Sequence, residues 1–451
     1  MTTPYRNVMI MIADDWSPIA ACYGNDVIQT PNIDRFAESA TVFDRAFCVS
    51  PSCAVSRASL LSGLYPHQHG QYGHTQGKHH FTAFDDVESI PRVLGPRGYA
   101  TANIGKVHFA PPRVFCFDIA GAASSGSPRD MAAAGSKFIA DAGEQPFFLM
   151  MASGYPHRGG DASGWNLGHH QDEFATDVEY DPADVVVPAW LPDHPETRRD
   201  LAGYYSAVSR FDAFVGASLE MLEASGRADQ TLVILTSDHG MPFTGAKASS
   251  FDSGHRCPLL IHRPGQSSTV HSNALVNWLD ITATVYDWVG IDQADRPHVE
   301  GRSLLPILDE AAPAGWDRTY FSHCFHEVTN YFPYRVIRED RYKYIRHLAW
   351  QLPQPLPTDL FRSPTWQAVL SDELETMGVR ETAHFLHRDR EELYDLEADP
   401  HETTNRIDDP ALADVAERLR RECLDWRQRT DDLWLEVDYQ EQVAGAPDGG
   451  P

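Results

Sequence analysis

The apolar positions of this chain fall into two patterns. Val8 to Ala13, Pro146 to Ala152 and Thr231 to Ser237 are near-continuous apolar runs, the signature of strands covered on both faces of a parallel sheet. Tyr99 to Ile104 is a weaker run that delivers Gly105-Lys106-Val107-His108. Between these runs the spacing turns helical. Ile33, Phe36, Ala37 and Ala40 follow Thr30-Pro31, a hydroxyl expected to cap a helix with Pro in its first turn. Ser89 to Leu94 reads as a short helix. Leu201, Tyr205, Val208, Phe211, Val215, Leu219 and Leu222 form one stripe of a long helix from Arg199 to Ser225, closed by Gly226. Strands alternating with helices predict an α/β fold with a large, mixed, mainly parallel sheet between helices.

The pattern shifts after Leu308 to Gly315, which reads as a linker or surface turn. Tyr334 to Ile337 and Arg341 to Arg346 suggest a hairpin around Glu339-Asp340, and Ala411 to Trp426 an amphipathic helix. The expected division is a large domain over 1–330 and a smaller α+β domain over 331–451, with an antiparallel sheet under a covering helix. The Gly- and Pro-rich tail from Glu441 is expected to fray.

Polar clusters follow the apolar runs. Asp14-Asp15, Lys106 with His108, His157, and Asp238-His239 each come just after a strand, and open α/β sheets gather ligands at the carboxyl ends of their strands. Ser50 to Gly63 reads as a loop entering a helix, with Cys53 at its start and Arg57 one turn on; the free N–H groups of a helix start favour an anion. Taken singly, each has an ordinary reading as a solvated acid pair, a surface lysine, a loop histidine or a buried structural cysteine. Together on one edge they suit hydrolysis of a sulfuryl or phosphoryl group: carboxylates hold a hard divalent cation, while Lys, Arg and His supply charge and protons.

Composition narrows the partners. A net charge of −27 over 451 residues argues against nucleic acid and anionic membranes, and favours a small anionic substrate over a long polyanion. No apolar run reaches the roughly 18 residues of a membrane span and no charged-then-apolar leader precedes the first strand, so the expected compartment is the cytoplasm. Seven cysteines, odd in number and scattered, agree with a reducing environment.

The order Cys53-Ala54-Val55-Ser56-Arg57 followed by Ala58-Ser59-Leu60-Leu61-Ser62-Gly63 resembles the signature of the type I sulfatase family of the alkaline phosphatase superfamily. It departs at Val55, where that family has Pro or, less often, Ala. The resemblance implies an alkaline-phosphatase-like fold and oxidation of Cys53 to formylglycine by a formylglycine-generating enzyme, the hydrated aldehyde being the nucleophile. It implies one divalent metal, calcium, held by Asp14, Asp15, residue 53, Asp238 and His239. His239 stands where the calcium enzymes carry Asn, and an imidazole suits manganese or zinc better. Arg57, Lys106 and Lys247 would hold the sulfuryl oxygens, Asp238 and His108 would take protons, and His157 would protonate the leaving group.

Longer runs, His67 to His74, Phe81 to Phe84, Tyr155 to Arg158, Tyr180 to Pro188, His326 to Thr329, Ser363 to Gln367, Glu392 to Asp395 and Asp399 to Thr403, resemble the sulfamidase branch of that family. That likeness implies cleavage of the S–N bond of a small sulfamate such as N-sulfoglucosamine, and a homodimer. His326 and Glu327 are candidates for facing the substrate, with a buried polar pair at a strand end as an equal reading. His67, His69 and His74 read as supporting or surface residues, and Asp399 to Glu402 as a turn docking the C-terminal helix. The alternatives are an O-sulfatase on a small sulfated sugar or aryl sulfate, a phosphonate or phosphate ester hydrolase, and a non-catalytic binder of sulfated sugars. The loop Gly159 to Phe174, expected to shape the pocket, has no readable periodicity.

Overall fold

The computed structural model describes residues 6–159, 164–165 and 178–435. Eight strands, Asn7–Ala13 (β1), Thr41–Phe43 (β2), Ala100–Gly105 (β3), Ile119–Ala120 (β4), Phe147–Ala152 (β5), Thr231–Ser237 (β6), Leu259–His262 (β7) and Val270–Ser272 (β8), form the main sheet. Their order is β8-β2-β7-β6-β1-β5-β3-β4, and β7 alone runs against its neighbours. Every residue of β1, β5 and β6 is buried. The strict alternation of a strand divides β1 between two cores: Met9, Met11 and Ala13 enter one, Val8, Ile10 and Ile12 the other. Both sides need apolar residues, and this is why the run is continuous.

Helices Pro31–Ala37 (α1), Cys53–Ser62 (α2), Pro128–Ala142 (α3), Pro195–Ala224 (α4) and Trp278–Trp288 (α5) cover the sheet. Through their buried side chains α1, α3 and α4 lie on the first core, α2 and α5 on the second. Thr30 does not cap α1 as expected. Its hydroxyl donates to Asp34 and accepts from the Ala21 N–H, while Asp212 of α4 accepts the N–H groups of Asn32 and Ile33 at 2.9 and 2.8 Å. A tertiary carboxylate replaces the local cap because it carries charge toward the positive end of the helix.

Strands Arg318–Phe325 (β9), Tyr331–Glu339 (β10), Tyr342–His347 (β11) and Glu391–Asp395 (β12) make an antiparallel sheet in chain order. The hairpin lies where expected, but the sheet begins upstream: the 330/331 boundary falls between β9 and β10. Phe47 and Leu275 of the larger part share a core with Phe321, Phe332 and Tyr334, so the two parts are joined by packing. Helix Ala413–Arg429 (α6) covers the other face through Ala416, Leu419 and Cys423. The Asp399 to Glu402 turn, expected to dock the C-terminal helix, is tied to β11 and to the segment after β6. Glu402 is buried, pairs with Lys343 and accepts the Asp252 N–H at 2.8 Å, since a buried carboxylate must find cations and donors. All seven cysteines are free. Among the described residues no helix is long and apolar enough to cross a membrane. The tail from Glu441, and all of 159–174 apart from 159, 164 and 165, lie outside the described residues.

Strands β1, β3, β5 and β6 are mutually parallel, so their carboxyl ends share one edge. Gly105 closes β3 at φ +93°, and a Cβ there would stand 2.2 Å from the Ala152 carbonyl oxygen. The same carbonyl accepts the Lys106 N–H at 2.8 Å. The glycine therefore lets the chain turn hard against β5 and bring Lys106 over the sheet edge. Gly105→Ala is expected to cost more than about 1 kcal/mol of stability, read as a lowered denaturant midpoint with unchanged slope.

Candidate active site

Asp14 and Asp15 follow β1, and Asp15 adopts a left-handed backbone, φ 71°, a conformation that Asp tolerates better than most residues. The turn is held from two sides. The Asp15 N–H donates to Asp238 Oδ1 at 2.9 Å, and the Tyr204 hydroxyl donates to the Asp15 carbonyl at 2.9 Å. Asp15 then faces Lys247 Nζ at 2.9 Å and His239 Nε2 at 3.0 Å. Cys53 Sγ lies 3.1 Å from His239 Nε2 and 3.9 Å from Asp15 Oδ1. One ligand atom each from Asp15, Cys53, Asp238 and His239 falls within 4.8 Å of the others, and all four residues are buried.

Cys53 is the first residue of α2 and Gly63 its left-handed C-cap. Arg57, one turn on, is fully buried and spans two strand ends: its Nη2 reaches Asp238 Oδ2 at 2.9 Å and Asp14 Oδ1 at 3.3 Å, and its Nε adds a bond to Asp238 at 3.1 Å. Asp14 also pairs with Lys106. Asp14, which the sequence placed among the metal ligands, lies outside that four-residue group and pairs with these two cations beside Asp238. Arg57 Nη1 is buried and makes no hydrogen bond, so it has capacity for an oxygen atom beside it.

The charges of the site act strongly on one another. Burial pushes the Asp14 and Asp15 carboxyls up, but Lys106 on the first and Lys247 on the second, each with help from His157, hold both below the usual range. Burial pulls His239 down, yet Asp238 and Asp15 lift its imidazole well above its ordinary value. Burial raises the Cys53 thiol against the pull of Lys247 and Lys106, which leaves it a poor nucleophile as a thiol. The donor set fits a divalent ion. Two buried carboxylates, an imidazole and residue 53 converge, and the positive charge that a cation would bring is one that His239 carries only by binding a proton.

His157 follows β5. Its Nδ1 meets the Arg158 carbonyl at 2.6 Å and its Nε2 lies 3.9 Å from Asp15 Oδ2. His108 bonds through Nε2 to Gln76 Oε1, while its Nδ1 is buried without a partner; burial pushes its pKa well down and keeps the ring neutral. His326 is buried with its ring 4.0 Å from that of His74, which is 4.8 Å from His108. Glu327 turns elsewhere: its two oxygens accept from the Thr358 N–H and hydroxyl at 3.0 and 2.8 Å. Sequence reasoning missed Asp359, in the helical turn Thr358–Phe361, which pairs with Lys247 at 2.8 Å. The local signals were the Pro353 to Pro357 approach, which carries no chemistry, and the sulfamidase-like run that begins four residues after Asp359, at Ser363. His67 and His69 bond to hydroxyls away from this cluster, Ser322 and Thr430 for the first and Ser59 for the second.

Arg57→Ala is expected to destabilise the fold by about 3–5 kcal/mol, because Asp14 and Asp238 lose a fully buried partner. Adding Asp238→Asn should recover part of that loss in a denaturation series, whereas two independent sites would add.

A family described as Sulfatase matches residues 6–291, and one described as N-sulphoglucosamine sulphohydrolase, C-terminal, matches residues 246–360. The chain is 36% identical to human N-sulphoglucosamine sulphohydrolase, an alignment covering 95% of this chain and 91% of that protein. It is 25% identical to an ulvan-active sulfatase of Formosa agariphila, over 95% of this chain and 81% of the relative. Among solved structures, one in complex with its substrate D-glucosamine-2-N,6-O-disulfate aligns at TM-score 0.67 and 19% identity, over 95% and 98% of the two chains. The phosphonate monoester hydrolase of Agrobacterium radiobacter aligns at TM-score 0.68 and 20% identity, over 94% and 96%. At these identities the structures show the shared alkaline-phosphatase-like fold. With a family match over more than half its length and a relative at 36% identity along nearly all of it, the chain belongs to the sulfatase family.

Proposed function

We propose that this protein is a sulfohydrolase that cleaves the S–N bond of a small sulfamate, such as N-sulfoglucosamine, releasing sulfate and amine. The observation that carries the reading is the buried Asp15–Cys53–Asp238–His239 group flanked by Arg57, Lys106 and Lys247. The match of residues 246–360 to the C-terminal family of N-sulphoglucosamine sulphohydrolases supports the S–N assignment.

In this reading Cys53 is converted by a formylglycine-generating enzyme, and residue 53 then offers a hydroxyl where the structure has a thiol. A divalent cation held by Asp15, Asp238, His239 and residue 53 would draw charge from the sulfuryl oxygens. The chain's own residues supply the rest. Arg57, locked between two carboxylates, presents its free Nη1 to an oxygen on residue 53 or on the substrate. Lys106 and Lys247 bind the outer oxygens as fixed charges, which need no reorganisation when charge develops. Nδ1–H of His157 donates to the Arg158 carbonyl, so Nε2 is the atom that hands a proton to the leaving nitrogen. His108, neutral and with Nδ1 unpartnered, is able to accept a proton from residue 53.

The tryptic peptide containing Cys53, from protein made in its native host, is expected about 18 Da lighter than the cysteine form. An unmodified peptide points to the non-catalytic sulfated-sugar binder, with Val55 as the cause. Matched S–N, S–O and P–O substrates should give kcat/KM values that rank S–N first. A leading P–O activity would instead favour a phosphonate or phosphate ester hydrolase. Chelator treatment should abolish turnover, and readdition of calcium, manganese or zinc one at a time identifies the ion.

A further inference from the structure

The exposures around the site are uneven, and they say where the substrate's leaving group points. Lys247 is 1% exposed at its side chain and Asp15 is fully buried, whereas Lys106, His157 and Asp359 are 20%, 28% and 16% exposed. The sulfuryl end therefore goes inward against Lys247 and residue 53, and the bridging atom of the substrate comes to rest near the open groups. Of these, His157 and Asp359 stand together: a His157 ring nitrogen, an Asp15 carboxylate oxygen and an Asp359 carboxylate oxygen all lie within 4.8 Å of one another.

A sulfamate differs from a sulfate ester at one atom. Its bridging nitrogen carries a hydrogen, and the ester oxygen carries none. Reading that difference takes an acceptor beside the group that donates the proton. Two groups each about 2.9 Å from one nitrogen, at a tetrahedral angle, stand about 4.7 Å apart, and the His157 and Asp359 atoms, within 4.8 Å of each other, are near enough to share one nitrogen. Asp15 is the wrong acceptor, being enclosed between Lys247 and His239. Asp359 is held for the task. Its Oδ1 accepts the Leu360 N–H at 3.0 Å, its Oδ2 takes one hydrogen bond from Lys247, and Glu327 caps the turn that carries it.

Resting on the sulfamidase reading, we infer that Asp359 is the specificity-determining residue for the S–N bond, accepting the N–H of the bridging nitrogen while His157 protonates that atom. The balance is complete: the S–N bonding pair stays on nitrogen, His157 gives one proton, the sulfuryl group passes to the nucleophile at residue 53, and R–NH–SO3− departs as R–NH2. Glu327, first considered as a substrate contact, is a positioning residue acting through Thr358.

The test compares kcat/KM of the wild type, Asp359→Asn and Asp359→Ala on N-sulfoglucosamine and on an aryl sulfate. Loosening of Lys247 lowers both activities alike, and the surviving S–O turnover reports a folded site. The S–N to S–O ratio is expected to fall by about tenfold or more in both variants, the worth of a hydrogen bond to a charged acceptor. A smaller change in that ratio, with S–N turnover present in the wild type, overturns the inference alone. Absence of S–N turnover in the modified wild type overturns the sulfamidase reading and this inference with it.

Discussion

The guanidinium of Arg57 is the constraint on which the site depends. It is fully buried between the ends of β1 and β6 and neutralises Asp14 and Asp238 at once. Taking these charges out of water is costly, and the arrangement persists because every partner is in place. Cys53 is four residues earlier on the same helix, so it lies on the same face as Arg57. The ion pairs that hold Arg57 thereby fix the reactive residue against Asp15 and His239. Removing either carboxylate would free the helix start as well as a charge.

The parallel strands were legible because burial on both faces demands continuous apolar residues, as in Val8 to Ala13. The residues at their carboxyl ends were legible as a set for the same reason, since topology alone brings Asp14, Lys106, His157 and Asp238 to one edge. What was hidden depends on tertiary partners. Thr30 looks like a cap, and nothing near it announces that Asp212, some 180 residues later, takes the role. Asp359 has no strand before it and no motif that includes it; it becomes part of the site because β9 to β12 fold back and Lys247 needs a second carboxylate. β9 was missed because its polar composition, Arg318 to Phe325, alternates too little to signal a strand.

The global and local electrostatics pull in different directions. The chain carries −27, and around the site Asp14, Asp15, Asp238 and Asp359 answer the charges of Arg57, Lys106, Lys247 and His239. These side chains nearly balance one another, so what attraction the site has for an anion comes from the bound cation and acts against the negative charge of the whole molecule. Affinity for a sulfated substrate must then come from short-range contacts made after entry. A compact monosaccharide that fits inside can use them, and a long polyanion that stays outside cannot.

The capped turn Thr358–Phe361 is attached to the molecule differently from everything else in the site. Apart from Lys247, which lies in the irregular segment after β6, the sulfur-handling residues follow strands of the main sheet or sit on a helix packed on it. The turn with Asp359 is held by a half-buried carboxylate, Glu327. One part of the site is thus set by the main sheet and the helix packed on it, while Asp359 is carried by a short turn between β11 and β12, anchored by the buried Leu360. With Asp359 in the proposed role, the choice of bond and the handling of sulfur rest on separate segments of the chain.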